Sequence, residues 1–181
     1  MLLTSTEMLE QWRLRHCLDA STMTGEADEG FDSTDNDLIE TARMRDWYAD
    51  LLARGDPSLT PPIDIAADLP VTAGPGTGEW QIRLIDGVIA VISIETDAGV
   101  QADIVNADSP RARLMRGPFG PVPTGRPVAV TDGGNVVRMF TDTGGETPKL
   151  RRVMAVTEPP EGFYSLTDKG LAMIPGPELY V

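Results

Sequence analysis

The chain has 181 residues, 41% of them apolar, and a formal net charge of −13. That charge argues against a nucleic-acid backbone as partner of the whole chain, because phosphate contact needs a dominant basic surface. A single cysteine, Cys17, excludes an intrachain disulfide framework and fits a reducing compartment, while 15 Pro and 18 Gly without a period exclude collagen-like order.

Thr4 with Glu7 forms a capping box, which predicts a helix over about Ser5–Leu18 with Met8, Leu9, Trp12 and Leu14 as its apolar face. From Thr24 to Asp37 the residues are acidic and small, as in a loop. A second helix follows. Thr34, Asp35 and Asn36 are its N-cap candidates, and Gly55 and Pro57 mark its end. Leu38, Ala42, Met44, Trp47, Tyr48, Leu51 and Leu52 recur along it at offsets of three and four. Together these segments predict a helical hairpin with an acidic loop over residues 1–56.

The three prolines of Pro57–Pro62 stop any helix, and beyond them the pattern becomes strand-like. Ile63–Leu69 reads as an edge strand or a short helix, and Pro70–Gly78 as a turn or loop. Glu79–Thr96 is the richest branched apolar run, and Asp86-Gly87 at its middle predicts a β-hairpin. Ala102–Val105 adds a strand. Pro110–Pro127 is too rich in Pro and Gly for a regular element, although Leu114, Met115 and Phe119 favour its packing down. A second hairpin is predicted from Val128–Thr131 and Val136–Thr141 around the turn Asp132–Asn135. Arg151–Thr157 is a further strand, and Leu166–Ile174 is a strand or a last helical turn. Short antiparallel strands with turns every eight to twelve residues predict a small β-sandwich or barrel-like domain over residues 63–181. The expected class is α+β.

The sequence supports no catalytic, cofactor or metal site. Gly74-Pro75-Gly76-Thr77-Gly78 lacks both the Gly-Lys-Ser/Thr of a phosphate loop and the helix that should follow it. The acidic stretch Asp28–Asp37 lacks the alternation, the sixth-position Gly and the twelfth-position Glu of a calcium loop. His16 and Cys17 are adjacent and would point about 100° apart on a helix, poorly placed as base and nucleophile. No Gly-x-Ser-x-Gly or His-Glu-x-x-His occurs. The N-terminus lacks the basic and apolar regions of a signal peptide, and no apolar run is long enough to span a bilayer. A non-enzymatic, cytoplasmic protein without a membrane partner is the expectation.

Charge is distributed unevenly. Residues 1–56 carry 5 basic and 13 acidic side chains, whereas residues 109–155 carry 8 basic and 3 acidic ones. Arg111, Arg113, Arg116 and Arg126 interleave with Leu114, Met115 and Phe119. Arginines and aromatics on a loop held by a β-scaffold are common at protein contacts. Arg111, Arg113, Arg116, Phe119 and Arg126 are therefore the candidate interface, and the acidic helical face its complement in a protein partner or in self-assembly. The competing reading is a structural connection whose arginines pair with the acidic helices. A small-ligand or glycan pocket lined by Trp80, Phe140 and Tyr164 is the alternative function.

Three stretches carry a resemblance: Ser109-Pro-Arg-Ala-Arg-Leu-Met-Arg-Gly-Pro-Phe-Gly-Pro121, Gly125-Arg-Pro-Val-Ala-Val130 and Gly134-Asn-Val-Val-Arg-Met-Phe140. They resemble a pattern in uncharacterised phage- or prophage-associated proteins of gut Bacteroidetes-type bacteria. The resemblance covers about residues 109–162 and departs from the pattern at Gly117, where Asn is expected. It implies a virion-structural or mobile-element protein and carries over no functional residue.

Overall fold

The computed structural model describes residues 1–15, 33–117 and 120–175, with the backbone alone at 33–36 and 68. Its elements in chain order begin with β1 (Leu2–Thr4), α1 (Ser5–Arg15), α2 (Ser33–Ala53), β2 (Ile63–Asp64), a 3-10 turn (Ala66–Asp68) and β3 (Val71–Ala73). Then come β4 (Glu79–Arg83), β5 (Val88–Thr96), β6 (Asp103–Asn106), α3 (Pro110–Arg116), β7 (Val128–Thr131) and β8 (Val136–Phe140). β9 (Leu150–Thr157), β10 (Phe163–Ser165) and α4 (Asp168–Ala172) complete an α+β chain. It divides into two compact units, Met1–Pro61 with Pro159–Val181, and Pro62–Glu158. The first boundary lies in the proline-rich linker. The segment from Pro159 groups with the N-terminal helices, not with the β-rich residues to which the sequence pattern assigned it.

In the first unit the capping box forms. The Thr4 N–H and Oγ1 both donate to Glu7 Oε2 at 2.8 Å, and the Glu7 N–H donates to Thr4 Oγ1 at 3.3 Å. These bonds, the Thr4 backbone N–H foremost, hold the Glu7 carboxyl below its ordinary range. Met8 and Trp12, one turn apart, are buried, whereas Leu14 is exposed. Helix α2 already includes Thr34–Asn36, so these residues are not its caps. Its buried stripe is Met44, Tyr48, Leu51 and Leu52, while Leu38 and Ala42 face solvent. The Trp12 and Trp47 rings lie 5.8 Å apart, and Arg13 bonds Glu40 at 2.8 Å and also Asp37. The tail closes against these elements. β10 pairs antiparallel with β1, and Thr167 caps α4, accepting from the Gly170 N–H at 3.0 Å. Of the two options for Leu166–Ile174, the helical one is realised.

The second unit holds a three-stranded sheet, order β2-β9-β5, and a five-stranded sheet, order β3-β4-β8-β7-β6. The β7–β8 hairpin forms as predicted, with Val128 opposite Phe140. Ile63–Leu69 divides into a short strand and a 3-10 turn, and Pro70–Gly78, read as loop, contains β3 paired to β4.

The predicted hairpin at Asp86-Gly87 does not form. β4 pairs with β3 and β8, whereas β5 pairs with β9 in the other sheet. Past Arg83 the chain stays on the β8 track, with Leu84 buried and its N–H on Asn135 O at 2.8 Å. Gly87, at φ 80°, then turns the backbone so that its carbonyl accepts from the Glu158 N–H at 2.8 Å. Asp-Gly thus makes a corner between two sheets. Nor is the unit purely antiparallel, because β6 and β7 pair in parallel across the crossover that contains α3.

α3 itself corrects the reading of Pro110–Pro127 as irregular throughout. Ser109 caps it, its Oγ accepting from the Ala112 N–H at 3.1 Å, and Pro110 occupies the first turn. Proline there sacrifices only an N–H that has no helical acceptor. One apolar cluster draws on both sheets, including Trp80, Ile82, Ala129, Val137 and Met139 from one and Ile94, Val153 and Ala155 from the other.

Candidate protein-contact surface

The four arginines of the candidate interface separate into two pairs. Arg111 on α3 and Arg126 before β7 converge on one carboxylate, Asp103 at the start of β6, each at 2.9 Å. Arg126 Nε also donates to Gln101 O at 3.0 Å. These two bonds fasten both ends of the crossover to the strand it leaves. The pairing foreseen between arginines and acidic helices is therefore not the one these two make.

Arg113 and Arg116 are exposed on α3, with Leu114 between them 57% exposed. Among the described residues neither arginine makes an ion pair. The buried anchor of the helix is Ala112, and Met115 packs on the small apolar cluster of Ala112, Val128, Val130 and Phe140. Helical geometry thus separates the sequence Arg-Ala-Arg-Leu-Met-Arg into an inward side and an outward cationic side with an apolar centre. Phe119, the remaining member of the predicted set, lies outside the described residues, as do His16, Cys17 and most of the acidic loop.

The residues proposed to line a ligand pocket are accounted for by packing. Trp80 belongs to the two-sheet cluster and Phe140 to the smaller one. Tyr164 stacks edge-on against Tyr48 at 4.9 Å, within the first unit.

The glycine-rich segment has a structural role of its own. Gly74 donates to Glu79 O at 2.8 Å and Gly76 to Glu79 Oε2 at 3.1 Å. A Cβ at Gly74 would lie 2.6 Å from the Glu79 side chain, and one at Gly76 2.9 Å. The loop encloses a carboxylate belonging to the chain, in the place where a phosphate loop would leave room for an anion. Glu79 is the one buried charged side chain among the described residues, and its Oε1 has no hydrogen-bond partner there.

Among the described residues no three His, Cys, Asp or Glu side chains gather as a metal site, and no helix is long and apolar enough to cross a membrane. A cleft of about 290 Å³ opens in the second unit, walled by Leu84, Val88–Val91, Asn106, Thr131–Gly134 and Val137. Sequence reading missed it, because its walls come from five segments brought together only by the sheets. No protein-family model matches the chain, and no curated protein matches it either.

Proposed function

We propose that this is a non-enzymatic structural or interaction protein that contacts other protein chains, or other copies of itself, through the outward side of α3. The observation that carries the reading is the contrast on that helix. Arg111 is committed to Asp103, while Arg113 and Arg116 flank an exposed leucine and form no ion pair among the described residues. A guanidinium pair around an apolar centre is the composition enriched at contact surfaces. The acidic helical residues supply the opposite charge, and contact between two unlike patches on identical chains builds rings or filaments.

The finer architecture belongs to the same reading: α1 and α2 as a helical hairpin, joined by Arg13 and the Trp12–Trp47 contact, and the second unit as a small sandwich around its shared cluster. A role in a phage or prophage assembly rests on the sequence resemblance alone.

Light scattering after size exclusion, at low and high salt, tests the proposal. The wild-type chain is expected to form a defined oligomer that dissociates as salt rises, and the Arg113→Glu/Arg116→Glu variant a smaller species at low salt. Unchanged assembly in the variant overturns the assignment of α3. A wild-type monomer at every salt removes self-assembly and leaves a different protein as partner.

A further inference from the structure

The cleft has an unusual wall. Val88, Ile89, Ala90 and Val91 are four consecutive residues of one strand, and all of them line it. Side chains of successive strand residues point to opposite faces. The register shift between Val88 and Ala90 interrupts that alternation, and the four together place the cleft alongside this stretch of strand rather than over one face. β5 is an edge strand of its sheet, paired on one side with β9. Among the described residues its other side is bonded at one end only. Ile94 O accepts from the Ala102 N–H at 2.8 Å, Val100 O accepts from the Thr96 N–H at 3.0 Å, and Glu95 bridges Gln101.

From that closed end β6 leaves to pair with β7 in the other sheet, so the β5 and β6 edges share no ladder beyond Ala102. The cleft is the open end of this wedge, bounded across from β5 by Asn106 and Thr131. Among the described residues, nothing pairs with the outer edge of Val88–Ser93. This stretch, Val-Ile-Ala-Val-Ile-Ser, contains neither the charge nor the proline that commonly blunts an exposed edge. Its register does shift twice against β9, between Val88 and Ala90 and between Val91 and Ser93. Those irregularities limit an added strand to a short segment.

The rim has one sign. Asp132 lines the cleft, and Asp86 and Asp108 stand within two residues of lining positions; all three are exposed. The nearest cations in sequence, Arg83 and Arg138, point to the other face of the five-stranded sheet, with Gln81 and Val136. We propose that the open β5–β6 wedge accepts an extended cationic segment of a partner protein as an added strand on β5. Backbone hydrogen bonds would give affinity, small apolar side chains would fill the cleft, and Lys or Arg would meet the acidic rim. The lining of this cleft includes no residue of α3.

Amide hydrogen exchange by NMR on the full chain tests it, with the acetylated, amidated peptide (Lys-Val)5 as probe. Outer-edge amides within Val88–Ser93 are expected to exchange quickly in the free protein and at least tenfold more slowly with peptide. The same peptide N-methylated at its four central amides keeps the charge and loses strand pairing, and it is expected to give no such protection. Asp86→Lys/Asp132→Lys is expected to weaken peptide binding and flatten its salt dependence. Absence of protection by the unmodified peptide overturns the proposal. Equal protection by the N-methylated peptide overturns it in favour of general adhesion to an acidic surface. Protection without peptide that grows with protein concentration overturns it in favour of a second copy on this edge. The α3 proposal is read by mass, not by amide exchange, so either can fail without the other.

Discussion

In the first unit a short β1–β10 ladder and single polar side chains close contacts between segments far apart in sequence, whereas in the second the same task falls to longer strand ladders over an apolar cluster. Tyr48 on α2 accepts from the Ser165 N–H at 2.9 Å, and Thr167 Oγ1 donates to Ser58 O at 2.6 Å. β9, by contrast, is paired along both edges and contributes Val153 and Ala155 to the core. The first arrangement stakes much on a few hydroxyls and on close backbone approach. The second spreads its stability over buried apolar area.

The largest effect is expected from breaking that core. Ile82 is fully buried in the cluster that draws on both sheets, and Ile82→Ala should cost about 2–5 kcal/mol through lost burial and the cavity left behind. Chemical denaturation followed by tryptophan fluorescence checks this, and a change under about 0.5 kcal/mol, the range of surface substitutions, would show the cluster to be loosely packed.

Gly170 probes the first unit, where a Cβ would lie 2.3 Å from the carbonyl oxygen of Leu59. Gly170→Ala should cost about 1–3 kcal/mol by forcing α4 away from that carbonyl. Faster exchange of the Thr167 amide, which donates to Leu59 O at 2.9 Å, would localise the damage.

Tyr48→Phe should be milder, about 1–2 kcal/mol, because it leaves the Ser165 N–H without its acceptor. It should also change the pH profile. Burial raises the Tyr48 phenol above its ordinary value, so the unfolded chain releases that proton at lower pH than the folded one. Stability from this group is complete below about pH 10, the ordinary phenol value, and falls as pH rises through the folded value. The second unit has an opposite case. Asp64 is held below its ordinary range by the N–H groups of Val153 and Ala66, and then by Arg152. Its contribution is present above the unfolded carboxyl value and is lost as pH falls through the folded one. Melting curves between acid and alkaline pH should show the alkaline loss vanish in Tyr48→Phe while the acid loss persists.

Where a contact closes within a few residues, sequence chemistry alone was sufficient. The Thr4–Glu7 box, the Asp132–Asn135 turn and the Met44, Tyr48, Leu51 and Leu52 part of the α2 stripe each depend on spacing within one element, whereas Leu38 and Ala42 of the same pattern face solvent. The exposed arginines of α3 were legible as residues but not as a surface. The Pro and Gly content of Pro110–Pro127 argues against a regular element, although Pro110 after Ser109 opens a helix, and which arginines stay outward depends on Asp103. The strand partners of Val88–Thr96 were decided by tertiary structure alone. Asp-Gly permits a reversal without dictating which strand comes next, and burying Leu84 and Ile94 in one core favours a corner over a hairpin. The edge left open on β5 follows from that choice. An unpaired strand edge is defined by what does not bond to it, and no local sequence pattern encodes the absence of a neighbour.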